Sequence, residues 1–210
     1  MLPTLISIII TVASSNTPIL GSRTVPEAEP IVSRVMPMND RYAVESVNKV
    51  FKDNILLTLH YMAEDIKDKS SIDWSKIESD FHYELTLKPG EEFAFHDKIA
   101  KEYKGNIVKT TNAHFNYQDG FKSDGYLVGD GVCHLASIIY WVAKDAGIKA
   151  YAPTNHNFAV IPDIPKEYGV SIYASPEGGE TTNLYIINNK EKSVKFVFNY
   201  QNDILTVSAE

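Results

Sequence analysis

The sequence predicts an α+β domain, on two observations. Apolar residues recur at helical spacing in two long stretches, and beyond residue 148 they fall into short runs rich in Val, Ile, Tyr and Phe that are divided by Gly and Asn pairs. A chain of 210 residues, 44% hydrophobic and 22% charged, is long enough to bury one core with a small appendage. The expected architecture is an N-terminal helix, then a central helix that carries a cysteine at its N-terminus and packs on an antiparallel sheet of short strands.

Residues 1–13, MLPTLISIIITVA, form an uncharged apolar run of the length found in export signals, followed by Ser14 and Ser15. The run is shorter than the roughly 20 residues that span a bilayer, so it reads as a signal or anchor-like segment, and as a candidate for membrane anchoring. Its β-branched Ile8, Ile9 and Ile10 also suit a buried first strand. Residues 14–38 carry Pro18, Pro26, Pro30 and Pro37 among Ser, Thr, Glu and Gly, which reads as an extended linker. Folding is therefore expected from Asn39, with a helical part over 39–84 and the main domain over 85–210.

In the helical part, Val44, Val47, Val50, Phe51, Ile55 and Leu59 predict one amphipathic helix from an Asp40 cap to Asp65. Tyr83, Leu85 and Leu87 then alternate before a Lys88-Pro89-Gly90 turn, and Phe93 and Phe95 alternate after it, predicting a strand, a turn and a short apolar hook. The stretch from Ala113 to Gly131, rich in Gly, Asp, Asn and aromatics, suits a surface loop. Next, Leu135, Ile138, Ile139, Val142 and Ala146 predict the central helix, with Asp130 capping its start and Gly147 its end. Residues 148–152 and 158–161 read as strands joined by a Pro-Thr-Asn turn, with His156 at the start of the second, and short antiparallel hairpins follow.

The formal charge of −7 argues against nonspecific binding to nucleic acid or anionic lipid, and leaves catalysis, protein partners and neutral or cationic ligands open. Cys133 is the only cysteine, so no disulfide closes within the chain. In the first turn of a helix its thiol meets the positive end of the backbone dipole and free N–H groups suited to an oxyanion. Lowering a thiol to about pH 7 needs roughly 2 kcal/mol and a helix terminus supplies about 0.3–1, so a second partner is required. His156, on a strand following the same helix, is the first candidate for that base. His134, pointing elsewhere around the helix, is the second. The opposing reading makes Cys133 a small buried hydrophobe. A zinc site could be built from Cys133, His134 and His156 or His114, but neither HExxH nor CxxC is present, so no metal and no cofactor are expected.

LKPGEEFAF (Leu87 to Phe95), GYLVGDGVCHLASIIYWVAKDAGI (Gly125 to Ile148) and NHNFAV (Asn155 to Val160) together resemble the VanW domain of bacterial cell-envelope proteins. The family's pattern runs PGE-x-F-S-F, G-G-G-V-C-Q-x-S-S, a helix ending in A-G, and H-P-H-S. The resemblance maps its cysteine onto Cys133, its Ser-Ser pair onto Ala136 and Ser137, and its second histidine onto His156. Here the glycine triplet is Gly129-Asp130-Gly131, the glutamine is His134, the first histidine is Thr154, and the family's downstream aspartate falls near Gly169. A group orienting the imidazole would then be Asp163 or Glu167, with Asn155 or Asn157 as substitutes.

What the resemblance implies is an exported protein of the cell envelope, associated with glycopeptide resistance, with some members resembling cysteine L,D-transpeptidases of peptidoglycan. The expected partners are then peptidoglycan stem peptides, with Cys133 as nucleophile, His156 as acid/base, and His114, Tyr117, Tyr126, Asp130, Ser137 and Asn155 as candidates for holding substrate. The rival expectation is a noncatalytic binding module that uses the aromatic loop of Phe115, Tyr117, Phe121 and Tyr126.

Overall fold

The computed structural model describes residues 32–103, 105–125, 128–174 and 181–210. The apolar run 1–13, the Gly178-Gly179 turn and Tyr126 lie outside them. In chain order the elements are β1 (Val32–Pro37), α1 (Glu45–Met62), α2 (Trp74–Ile77), β2 (Phe81–Leu87), β3 (Glu92–Ala94), β4 (Ile107–Lys109) and α3 (Val132–Asp145), followed by β5 (Lys149–Tyr151), β6 (Tyr173–Ala174), β7 (Thr181–Thr182), β8 (Tyr185–Ile187), β9 (Val194–Gln201) and β10 (Ile204–Ala209). The α+β class is as expected. No helix among the described residues is long and apolar enough to cross a membrane.

Four antiparallel strands form the larger sheet in the order β1-β10-β9-β2, and a second sheet runs β4-β3-β8-β5. Within the second sheet β3 and β4 are parallel, a departure from the antiparallel sheet expected. Asn202 and Asp203 join β9 to β10 with φ of 51° and 58°, the left-handed pair that a two-residue hairpin matched to strand twist requires. Helix α3 occupies the centre, packed against α1, β1, β10 and β5.

Three expectations are corrected. The first concerns the last residues of the linker read over 14–38, since a strand runs through Val32–Pro37. From Val32 to Pro37 the chain pairs with β10 and buries Met36, so proline content at the sheet edge masked a strand. Second, α1 starts at Glu45 rather than at an Asp40 cap. Asp40 has φ 57°, and the Asn48 side chain clasps Tyr42 by accepting from its N–H at 2.8 Å and donating to its carbonyl at 2.7 Å, which folds residues 39–44 into a hook against the helix. Third, Phe158 to Ile161 is not a strand. Phe158 and Val160 are 69% and 85% exposed, and the backbone that pairs is the preceding stretch, with His156 N–H on the Gly169 carbonyl and Ser171 N–H on the Thr154 carbonyl.

Candidate functional site

The stripe of Leu135, Ile138, Ile139 and Val142 is buried as its spacing predicts, and the helix ends where Gly147, at φ 64°, donates to the Lys144 carbonyl. At the other end Cys133 is the second residue of α3. The cap there is Gly131, at φ 97°, and not Asp130, because a Cβ at position 131 would stand 2.7 Å from the Phe51 carbonyl oxygen of α1. Asp130 instead accepts the Asp124 N–H on its carboxylate, and its carbonyl is held by the Asn54 side chain. Asn54 also donates to the Lys122 carbonyl and accepts the Lys122 N–H, so one buried amide of α1 clamps both ends of the loop before Cys133.

The Cys133 residue is partly exposed, but its sulfur faces an extended segment that follows Gly169. The Ile172 N–H donates to Sγ at 3.4 Å, and the thiol reaches the Ile172 carbonyl at 3.8 Å. Ser137, one turn on, donates to the Cys133 carbonyl at 2.7 Å and accepts the Val170 N–H at 2.8 Å. Burial pushes the thiol up, against the Ile172 N–H and helped by the Asp130 carboxylate. The shift runs opposite to the one a helix terminus alone would give, and removal from water is its largest cause.

His156 is buried beneath Phe158, with ring centroids 4.0 Å apart. Its Nδ1 lies 3.0 Å from the Ala159 carbonyl. A carbonyl only accepts, so Nδ1 carries the proton of the neutral ring and Nε2 keeps the lone pair. Burial lowers His156 below the ordinary imidazole range, with the Ala159 carbonyl opposing. The ring opens onto a pocket of about 300 Å³ that is also lined by Phe158, Val160, Ile161, Ile164 and Lys166. No hydrogen bond joins Sγ to either imidazole among the described residues. Cys133 and His156 are linked instead through one extended segment, which caps the sulfur at Ile172 and pairs with the His156 backbone at Gly169.

Asp163 does not orient His156. It is exposed, at φ 66°, and its Oδ2 lies 3.7 Å from Arg41 Nε. The orienting role expected of a carboxylate falls to the Ala159 carbonyl. Asn155 donates to the Lys166 carbonyl and leaves its own Oδ1 buried without a hydrogen bond. His134 is buried against Arg41, Tyr42 and Phe51 rather than turned toward Sγ. His114 pairs with Asp119 at 2.8 Å and Asp97 at 3.3 Å, and its ring neighbour is His96. In the aromatic loop Phe121 is buried against Tyr61 and Phe115, while Tyr117 is exposed. Among the described residues no group of three or more His, Cys, Asp and Glu is arranged to hold a metal ion.

Ile172, Ala159, Arg41 and Asn54 were not legible as site residues. Ile172 and Ala159 act through backbone atoms, which every residue type possesses. Asn54 left one signal, an amide inside an apolar helical run.

The fold and site define an α+β domain in which a cysteine-bearing helix start is held between a small sheet system and a preceding helix. The family model described as VanW like protein matches residues 80–209, and the chain belongs to the VanW family, which is associated with vancomycin resistance. No curated protein and no solved structure matches the chain.

Proposed function

We propose that the protein is an exported cell-envelope cysteine acyltransferase, an L,D-transpeptidase of peptidoglycan stem peptides that works through a thioester on Cys133. The observation that carries this reading is a first-turn cysteine joined, through the segment from Gly169 to Ile172, to a neutral imidazole whose Nε2 keeps its lone pair because Ala159 holds Nδ1–H. At neutral pH both groups are uncharged, so proton transfer accompanies attack. His156 takes the thiol proton as Sγ bonds to the carbonyl carbon preceding the terminal D-residue, and N–H groups of the first turn of α3 meet the oxyanion. The C–N bond then breaks, and the proton passes from His156 to the departing amine. An amine of a neighbouring stem attacks the thioester, loses its proton to His156 and releases the thiol. Ile172 must give up its contact with Sγ for this attack.

A noncatalytic wall-binding role is favoured by one observation, that burial raises the thiol while Ile172 meets it at both its N–H and its carbonyl. Incubation with purified muropeptides, followed by mass spectrometry of products and protein, separates the two. Transpeptidation requires a stem-sized adduct on Cys133 and at least a hundredfold loss of crosslinked product in Cys133→Ala, about 2.7 kcal/mol of transition-state stabilisation. Wild-type product from Cys133→Ala refutes the nucleophile, and muropeptide retention with neither adduct nor product supports the binding role.

A further inference from the structure

We propose that Arg41 is a positioning residue that holds His134 as its neutral Nε2–H tautomer, so that His156 alone exchanges a proton with Cys133. The second half of this statement rests on the function proposed above; the first half stands on geometry. Arg41 Nη1 lies 3.0 Å from His134 Nδ1. A guanidinium has donors and no acceptor, so Nδ1 must present its lone pair, and the neutral ring then carries its hydrogen on Nε2, which lies 3.4 Å from the Tyr42 hydroxyl oxygen. Protonating His134 would set an N–H against the Arg41 N–H. His134 and His156 thus take opposite tautomers, one with its lone pair on Nδ1 and occupied, the other with its lone pair on Nε2.

Arg41 is fixed well enough to impose this. Its side chain is 3% exposed, Nη2 donates to the Pro162 carbonyl at 2.7 Å, and Asp163 balances its charge from 3.7 Å. The hook clasped by Asn48 delivers both Arg41 and Tyr42 to α3. The groups facing His134 are Arg41 and Tyr42 from the hook, the Phe51 ring of α1 at 4.9 Å and the His156 ring at 6.3 Å. Asp124 and Asp130 act on Tyr42 through their charge. Burial and the Arg41 charge also keep His134 well below the ordinary imidazole range. A cation on His134 would stand beside His156 and oppose its protonation. Arg41, Tyr42 and Phe51 all precede the family-matched residues 80–209.

Histidine-selective nitrogen-15 NMR of the full chain, recorded without wall substrate, tests the assignment. In wild type, His134 should keep the Nε2–H tautomer from about pH 5 to about pH 8 with no titration. Arg41→Met should free Nδ1 and let His134 take the Nδ1–H tautomer in part, shifting its two nitrogen-15 resonances, while burial still holds its protonation down. Arg41→Lys, which keeps a charged donor, should restore the wild-type tautomer. A wild-type His134 that titrates, or that shows the Nδ1–H tautomer, overturns the proposal. So does Arg41→Met with an unchanged His134 spectrum. If Arg41→Met does not fold, wild type and Arg41→Lys decide alone. Because no substrate is present, failure of the transpeptidase reading leaves these spectra untouched.

Discussion

Asp130 shows how a single residue at this site departs from its solution behaviour. Its half-buried carboxyl is pushed up to about 6, first by burial and then by the Asp124 carboxylate. The unfolded chain releases that proton near pH 3.9, so between about pH 4 and about pH 6 the folded state binds more protons than the unfolded one. Stability should therefore fall as pH rises through that window, and the loss should persist at neutral pH. Asp130→Asn keeps an acceptor for the Asp124 N–H and has no charge to bury. After allowance for solvent screening it should gain about 1 kcal/mol at pH 7 and nothing at pH 4, read from urea unfolding at the two pH values. Equal gains at both values would mean that Asp130 is not the titrating group. Cys133 and His156 were legible because thiol and imidazole are rare and chemically distinct. The partners that set their protonation were not, because Ile172 and Ala159 contribute peptide atoms that leave no mark on side-chain chemistry.

Among the elements, α3 was the most legible, because a buried stripe at period 3.6 followed by glycine is a local signal. Its starting residue was not, since the reason for Gly131 lies 80 positions earlier, in the backbone of α1 at Phe51. The strand expected over Phe158 to Ile161 failed for a related reason. Apolar content suggests burial, yet burial is settled by which segment docks, and here Thr154 docks on Ser171 and His156 on Gly169. The α1–α3 contact can be tested with two glycines. Gly131→Ala combines an unfavourable φ with a Cβ 2.7 Å from a backbone oxygen, and should cost about 2 kcal/mol or more, about 4–8 °C in Tm. Gly90→Ala has a similar φ of 78° with nothing within 4 Å, and should cost about 1 kcal/mol. Equal losses would show that α3 does not rest on Phe51 as closely as described.

For the molecule as a whole, the boundary of the family match and the boundary of the fold differ. Residues 80–209 include every described strand except β1, and all of α3, but not α1. Yet Ile55, Leu56, Leu57, Leu59 and Met62 of α1 are at most 1% exposed and belong to the same core as Leu135 and Ile139. Burial of five such side chains contributes about 10 kcal/mol, comparable with the roughly 5–15 kcal/mol by which a whole domain is stable. Removing α1 would also strip Asn54 from the loop before Cys133 and expose the apolar face of α3. A chain of residues 32–210 should therefore unfold in one cooperative transition. A chain of residues 80–210 should keep far-UV circular dichroism, lose the near-UV signal and bind a hydrophobic dye. Dispersed amide resonances from the shorter chain would show instead that the family-matched part folds alone, and that the N-terminal helix is an addition to the site rather than its foundation.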